Sequence, residues 1–505
     1  MMSLEKNIFA NYAGQIFIGI VGIAVVPIYL PLMGAEAYGL IGFFILMQAW
    51  SQLLDLGMSA TVSRETAKHV GGATSALTLR QVLRCFELIF LALGSLLSLA
   101  FVVFAEFIAR HWLDISALAV SEVGYSVALM GVTIAVRWGS GLYRGVLMGL
   151  ERQVWLNVFT SIIAGIRFIG VIPVLLIFEP SPICFFVFQV AVSVLELLVL
   201  ITATYTSVFV PADIVIRPLW RLMRPLTQFS ASIAFATVVW ILVTQADKLI
   251  ISSAIPLADF GLFTATVMLA GAISMLSAAI SQALLPQLTR LTQLGHESSL
   301  QTLYSHTTQW TAAIAGPMAL CFAAFAEPVL WSWTGNNAFA AKYGPVLALY
   351  AIGNGFMTLA AFPYYLQFAR GDIRLHIWGN GLFAAVLLPT VWLAATRFGA
   401  IGAGWVWAIS NATYFFCWTP WVHHQLTPRF HWKWIKNDIA LVLLPPSVIG
   451  AAAKVIQPES MSRVGSAFFL ATVSILMFFG AIITSSSLRA MACRYWRRLS
   501  GHAES

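Results

Sequence analysis

Charge is what this sequence has least of. Asp, Glu, Lys and Arg make up 10% of its 505 residues, and 60% are hydrophobic. Soluble proteins carry about 25% charged residues, and a soluble core of this size could not hide so much apolar surface. Cysteine is also scarce. Cys85, Cys184, Cys321, Cys417 and Cys493 stand singly, without the spacing of a metal site or a disulfide framework. No basic stripe with interleaved aromatics accompanies the net charge of +8, so nucleic acid is not an expected partner. Long hydrophilic segments are missing too: nothing between apolar runs exceeds about 30 residues, which leaves no room for a soluble catalytic domain. The first apolar run, Phe9 to Met33, is too long for the core of a cleavable signal peptide and is expected to stay as a helix.

What is present is hydrophobic length. A hydrocarbon layer of about 30 Å needs about 20 apolar residues per helix. Runs of that size predict an all-α polytopic membrane protein with about fourteen spans. They fall near residues 9–32, 38–58, 85–109, 122–146, 153–178, 183–209, 228–252, 259–285, 308–333, 343–367, 375–396, 399–421, 438–456 and 464–486. Gly316-Pro317 interrupts the ninth run and the thirteenth holds Pro445-Pro446, both tolerable in spanning helices where neighbours satisfy the freed carbonyls. Alternate connections then divide the cations unevenly. Twenty of the 28 Lys and Arg fall on the side of the N-terminus and five on the other, while Arg137, Arg167 and Lys248 lie within spans. The positive-inside rule puts the richer side, with both termini, in the cytoplasm.

The chain also echoes itself. Glu36-Ala37-Tyr38-Gly39-Leu40 and Ala258-Asp259-Phe260-Gly261-Leu262 share the order acid, aromatic, Gly, new helix, six spans apart. An even separation preserves orientation, as in parallel repeats. The division expected is an N-terminal lobe at 1–209, a cytoplasmic linker at 210–227, a C-terminal lobe at 228–421, two further helices at 422–486 and a basic cytoplasmic tail at 487–505. The connection "SATVSRETAKHVGGATSALTLR" and that tail can lie on an anionic leaflet, or can carry topogenic charge alone.

Polar residues recur on helical faces inside the apolar runs. Asn7, Asn11 and Gln15 line one face of the first span; Gln48, Gln52 and Asp55, followed by Ser59, line the second. Gln189, Ser193 and Glu196 align on the sixth, Ser274, Ser277 and Ser281 on the eighth, and Arg137 and Arg144 sit seven apart on the fourth. Helix-joining hydrogen bonds suffice for the serines. Charges facing lipid cost about 2.5–3.5 kcal/mol each, so Arg137, Arg167 and Glu196 need partners or a watered cavity. A cationic chamber in the first half, with Glu196 pairing one arginine, is one reading; a purely structural ion pair is the other. Asp247 and Lys248 point about 100° apart on a helix and are not expected to pair with each other.

Three stretches together resemble a known family: "LLDLGMSATVSRE", "YRGVLMGLERQVWLN" and "QADKLIISSAIPLADFGLF". They are similar to Wzx-type flippases of lipid-linked oligosaccharide repeat units. These form the polysaccharide-export branch of the multidrug/oligosaccharidyl-lipid/polysaccharide (MOP) transporter superfamily. Asp55, Gly57, Arg64, Gly149, Asn157, Asp247 and Lys248 are the matching positions. The resemblance implies a MATE- and MurJ-like fold of two six-helix lobes, alternating access, and a non-enzymatic transporter without cofactor or metal. Its expected site is the bacterial inner membrane. It implies a polyprenyl-diphosphate-linked oligosaccharide as substrate, membrane lipids as surroundings, and a polysaccharide polymerase and chain-length regulator as partners.

On that reading Arg137, Arg144, Arg167 and Lys248 would meet the diphosphate. Gln15, Gln48, Gln52 and Gln189, with the face of Trp138, would meet the glycan. Glu196, Asp55 and Asp247 would be candidates for a coupled H⁺ or Na⁺, with the membrane potential as the alternative drive. A flippase for the peptidoglycan lipid precursor and a cation-coupled multidrug exporter are the competing assignments. An integral-membrane glycosyltransferase would call for larger outer loops than this chain has.

Overall fold

The computed structural model describes residues 2–208, 210–211, 216–458 and 461–491, with side chains described except at 2–12, 224–225, 227–236, 276–279 and 281–283. The side chains of Asn7, Asn11, Ser277 and Ser281, and Cys493 with the tail beyond 491, therefore lie outside the described residues. The chain divides into two compact units, Met1–Thr264 and Ala265–Ser505.

The first unit contains α1 (Met2–Ala24), α2 (Val26–Met33), α3 (Ala35–Ser51), α4 (Met58–Val70), α5 (Ala76–His111), α6 (Val120–Gly149), α7 (Gln153–Phe168), α8 (Val171–Ile177), α9 (Pro182–Ser207) and α10 (Met223–Ala254). It ends within α11 (Leu257–Gln293). Helix α6 is its axis, packed by α5, α9 and α4. Small residues make the close approaches. A Cβ on Gly145 would collide with the Ser59 carbonyl, and one on Gly149 with the Ser63 carbonyl and Thr66, so α4 lies directly on α6. The chain reaches α4 through two consecutive left-handed residues, Leu56 (φ 46°) and Gly57 (φ 73°). The first of these is costly for a residue with a Cβ. The cytoplasmic connection expected after the second span is thus mostly helix, and its Met58, Thr61, Val62 and Thr66 are buried. Apolar packing continues along α5 and α6 through Leu83, Phe86, Phe90, Leu142 and Val146.

The second unit takes the rest of α11, then α12 (Glu297–Ala324), α13 (Ala326–Thr334), α14 (Asn337–Ala360), α15 (Phe362–Arg370) and α16 (Arg374–Thr413). It ends with α17 (Thr419–Leu426), α18 (His431–Trp434), α19 (Leu441–Ile456) and α20 (Arg463–Thr484). Wide π-turns occupy Tyr414–Trp418 and Ile435–Ala440. Its core gathers Leu288, Tyr304, Phe362, Phe415, Phe430 and Trp434. Gly316-Pro317, in the ninth run, does not break the helix. Pro317 lies inside α12, and the chain bends by 90° after Ala324 instead. A Cβ on Gly316 of α12 would collide with the Leu443 side chain of α19, so tight packing accounts for the glycine. Pro445 and Pro446 are both inside α19.

Among the described residues twelve helical stretches are long and apolar enough to cross a membrane, thirteen with the bent pair α12–α13. One of the twelve, Arg374–Leu426, runs for 53 residues, about 80 Å if straight against a hydrocarbon layer of about 30 Å. It breaks at Gly399 (φ 58°, ψ −142°). A Cβ on Gly402 would press into the Ala394 carbonyl, although eight residues of unbroken helix separate two positions by about 12 Å. The chain folds back there, as the separate spans at 375–396 and 399–421 require, and the number of crossings is about fourteen. This is a multi-pass membrane protein.

Candidate functional site in the first unit

Glu196 is the centre of the polar cluster in the first unit. It stands on α9 below Gln189 and Ser193, one turn apart along the same face, and only 1% of it is exposed. A buried carboxylate needs compensation, and two arginines supply it. Arg167, at the end of α7, donates from Nη2 to Glu196 Oε2 at 2.8 Å, and from Nη1 to Ser193 Oγ at 3.3 Å and Gln189 Oε1 at 3.4 Å. Gln189 returns a bond from Nε2 to the Arg167 carbonyl at 3.2 Å. Arg144, from α6, donates Nη2 to Glu196 Oε1.

The two arginines differ in what remains of them. Arg167 is 4% exposed and its fork is taken up by α9. In this structure it is a buried partner of Glu196, with Gln189 in the same network. Arg144 keeps 36% of its side chain exposed, and its buried Nε has no hydrogen-bond partner. Arg137 stands two turns earlier on α6, half-buried. It donates Nη1 to Gln48 Oε1 of α3, and its guanidinium carbon lies 5.9 Å from the centre of the Phe44 ring. Arg137 is within electrostatic reach of Arg144, Arg167 and Glu196. Two guanidiniums therefore share one carboxylate, and Arg137, bonded to Gln48, adds a third positive charge nearby.

Other expected residues fall elsewhere. Gln15 and Gln52 are exposed, the latter in the tight turn Gln52–Asp55. Asp55 accepts from Ser59 Oγ at 2.6 Å and from the Ser59 amide at 3.3 Å, so it caps the start of α4. Asp247 is 1% exposed. Lys248 donates Nζ to the Thr244 carbonyl at 2.6 Å and also reaches Asp247 Oδ1 at 3.3 Å. The expectation that these neighbours do not pair is corrected; the flexible lysine stem folds back across the intervening angle. Trp138 is corrected as well. It is 8% exposed and stacks on Phe90 with ring centres 4.3 Å apart, which makes it core rather than a sugar platform.

Two clusters had no clear signal in the sequence. Glu36, 6% exposed, accepts the amides of Ser116, Ala117 and Leu118 at 2.6, 2.7 and 2.9 Å. Only its place in the echo marked it. Glu87 accepts from Tyr143 Oη at 3.0 Å, Tyr205 Oη at 2.7 Å and Arg84 Nη1 at 2.9 Å. Its one sequence trace is the i, i+3 spacing of Arg84 and Glu87.

Residues 4–292 match the family described as "Polysaccharide biosynthesis protein". The chain belongs to that family. Among curated relatives, "Putative O-antigen transporter" of Shigella flexneri is 20% identical over 411 residues, covering 81% of this chain and 95% of the relative. "Probable lipid II flippase MurJ" of Rhizobium meliloti (strain 1021) is 28% identical over 188 residues, 35% of this chain and 32% of that one. Among solved structures, a lipid II flippase MurJ in an inward closed conformation aligns with a TM-score of 0.70 at 13% identity, over 97% of this chain and 98% of the other. An inward-facing multidrug resistance MATE transporter of the MOP superfamily aligns with a TM-score of 0.64 at 12% identity, over 82% and 98%. This member of the polysaccharide biosynthesis family thus has the MurJ and MATE fold, with its arginine cluster on helices inside the matched region.

Proposed function

We propose that this chain is a flippase for polyprenyl-diphosphate-linked oligosaccharide repeat units, working by alternating access in the bacterial inner membrane during O-antigen, capsule or exopolysaccharide assembly. The observation that carries the reading is the imbalance around Glu196. Arg137, Arg144 and Arg167 bring three positive charges at membrane depth and one carboxylate answers them. A sugar-linked lipid diphosphate brings about two negative charges, which matches the remainder. Arg144 Nε, buried without an acceptor, and the forked geometry of guanidinium both suit a phosphate oxygen. Arg137 and Arg144 take the contacting role, and Arg167 holds Glu196 in place. Gln48, Gln52 and Gln15 remain the proposed glycan contacts. Asp55, Asp247 and Glu196 remain candidates for a coupled ion, and Lys248 for a further diphosphate contact.

The proposal keeps two lobes at 1–209 and 228–421 joined by 210–227, two added helices at 422–486, both termini and the 487–505 tail in the cytoplasm, and a polymerase and chain-length regulator as downstream partners. Outward movement of each negative charge gains about 2.3 kcal/mol per 100 mV of cytoplasm-negative potential. The similarity to the curated transporter of Shigella flexneri over most of its length supports the polysaccharide substrate. The partial match to a lipid II flippase favours, as second reading, the peptidoglycan precursor, which shares the diphosphate. A multidrug exporter for cationic compounds is disfavoured by a positive cluster.

The test is genetic. In a host whose surface polysaccharide depends on this gene, the Arg137→Ala, Arg144→Ala double variant at normal membrane abundance is expected to abolish surface polymer and accumulate lipid-linked repeat units. Full polymer output from that variant overturns the reading. Rescue of a peptidoglycan flippase deletion by the native chain would transfer it to the second.

A further inference from the structure

On the side of α6 turned away from Arg137 and Arg144, a groove of about 670 Å³ runs between α5, α6 and α9. It lies wholly within the first unit and is as large as many ligand sites. Its walls are apolar for most of their length, and Leu91 on its rim is 67% exposed. Its floor is bare where α6 presents Gly139, whose added Cβ would meet nothing within 4 Å. On α5 the lining runs from Arg84 to Ser98, which spans about 21 Å of helix.

One end of this apolar groove is built from polar side chains. Glu87 is held by the hydroxyls of Tyr143 and Tyr205 on one oxygen and by Arg84 on the other. Arg80 stacks under the Tyr205 ring at 3.9 Å and donates to the Val208 carbonyl at 2.8 Å, fixing that tyrosine. Both Glu87 oxygens are thereby occupied, and two guanidiniums outnumber one carboxylate. Arg84 leaves 48% of its side chain exposed at the mouth.

We propose that this groove holds the polyprenyl tail of the lipid-linked substrate, with the diphosphate presented to Arg84 at the groove's polar end. The inference rests on the flippase reading and adds to it a tail-docking site separate from the Arg137–Arg144 cluster. A polyprenyl chain is single, and its anionic end suits a mouth with excess positive charge. The groove is also long enough to accept a chain through the depth of a leaflet before any sugar enters the arginine cluster.

The test uses the full chain, purified and in lipid nanodiscs, with a photoactivatable polyprenyl diphosphate as probe. Crosslinks on the native chain are expected in α5, α6 and α9 peptides. Gly139→Leu, which fills the open floor, and Arg84→Gln are each expected to weaken labelling about tenfold at unchanged melting temperature. Ser98→Leu is the second plug if Gly139→Leu does not fold. Excess phosphatidylglycerol is expected not to compete. Three results overturn the tail site and leave the flippase reading standing: crosslinks confined to other helices, labelling unaltered by either plug, or competition by phosphatidylglycerol equal to that of unlabelled polyprenyl diphosphate. A native chain that binds no polyprenyl diphosphate at all overturns both.

Discussion

Gly39 and Gly261 meet with no side chain between them. A Cβ on Gly261 would lie 2.7 Å from the Gly39 nitrogen and 3.0 Å from its Cα. These are the glycines of the two echoing motifs, so the repeated pattern marks a crossing of α3 and α11. Around it, Glu36 holds the amides of residues 116–118, and the Asp114 backbone carbonyl accepts the Leu257 amide at 2.8 Å. The glycines are needed for close approach, not for unusual backbone angles.

Gly261→Ala is therefore expected to destabilise the fold by about 1–3 kcal/mol, the usual cost of overpacking a filled contact. Gly39→Ala should cost at least as much, since its Cβ would meet Leu257 Cδ1 at 2.9 Å and press on that residue's carbonyl. Thermal unfolding of the purified variants checks this. Native melting temperatures in both would mean that the two helices separate at no cost.

Glu36→Gln should also be destabilising. Three amides point at the Glu36 carboxylate, and hydrogen bonds to a charged group are each worth about 1.5–3 kcal/mol. The glutamine amide keeps one acceptor oxygen and turns an NH₂ toward N–H donors. The expected result is a lower melting temperature together with faster hydrogen exchange at residues 116–118. Unchanged exchange there would show that the loop does not depend on the clasp.

The arrangement around Glu196 predicts unequal effects from equal chemistry. Glu196→Ala leaves Arg167 buried and uncompensated, a loss of about 3–5 kcal/mol. Adding Arg167→Ala should recover part of that loss, because contacting charges couple by about 0.5–3 kcal/mol. Melting temperatures of the two single variants and the double variant measure the coupling; strict additivity would mean that Glu196 draws its support from Arg144 alone.

Much of this is legible in the sequence. The fourteen hydrophobic runs correspond in order to the helices, because hydrocarbon length fixes how much apolar sequence a crossing needs. The face Gln189, Ser193, Glu196 came from helical periodicity and does form one hydrogen-bonded row. Partner choice was harder. Nothing in the spacing said that Glu196 would hold two arginines from two helices, or that Arg167 would be consumed in doing so. Trp138 looked like a sugar platform only because a sequence does not show Phe90 stacked on it. Pro317 stays inside α12, as a proline whose lost hydrogen bond is tolerated leaves the helix intact, and the bend falls after Ala324.

Arg144 and Arg167 should separate under a substitution that keeps charge and removes the fork. Lysine supplies a point charge without the paired donors that match a phosphate. Arg144→Lys retains a cation beside Glu196 but loses Nε, the donor left without a partner. If that donor serves a phosphate oxygen, flipping should slow about tenfold, the kinetic equivalent of roughly 1.4 kcal/mol, while the melting temperature stays near native. Arg167→Lys should do the reverse, because Gln189, Ser193 and Glu196 together use two ends of its buried fork. Its melting temperature should fall, and transport per folded molecule should change little. Reconstituted flipping of a fluorescent lipid-linked oligosaccharide, normalised to folded protein, reads one axis and thermal unfolding the other. A transport defect in Arg167→Lys with native stability, paired with a stability defect in Arg144→Lys, would exchange the two roles and place the phosphate deeper against α9.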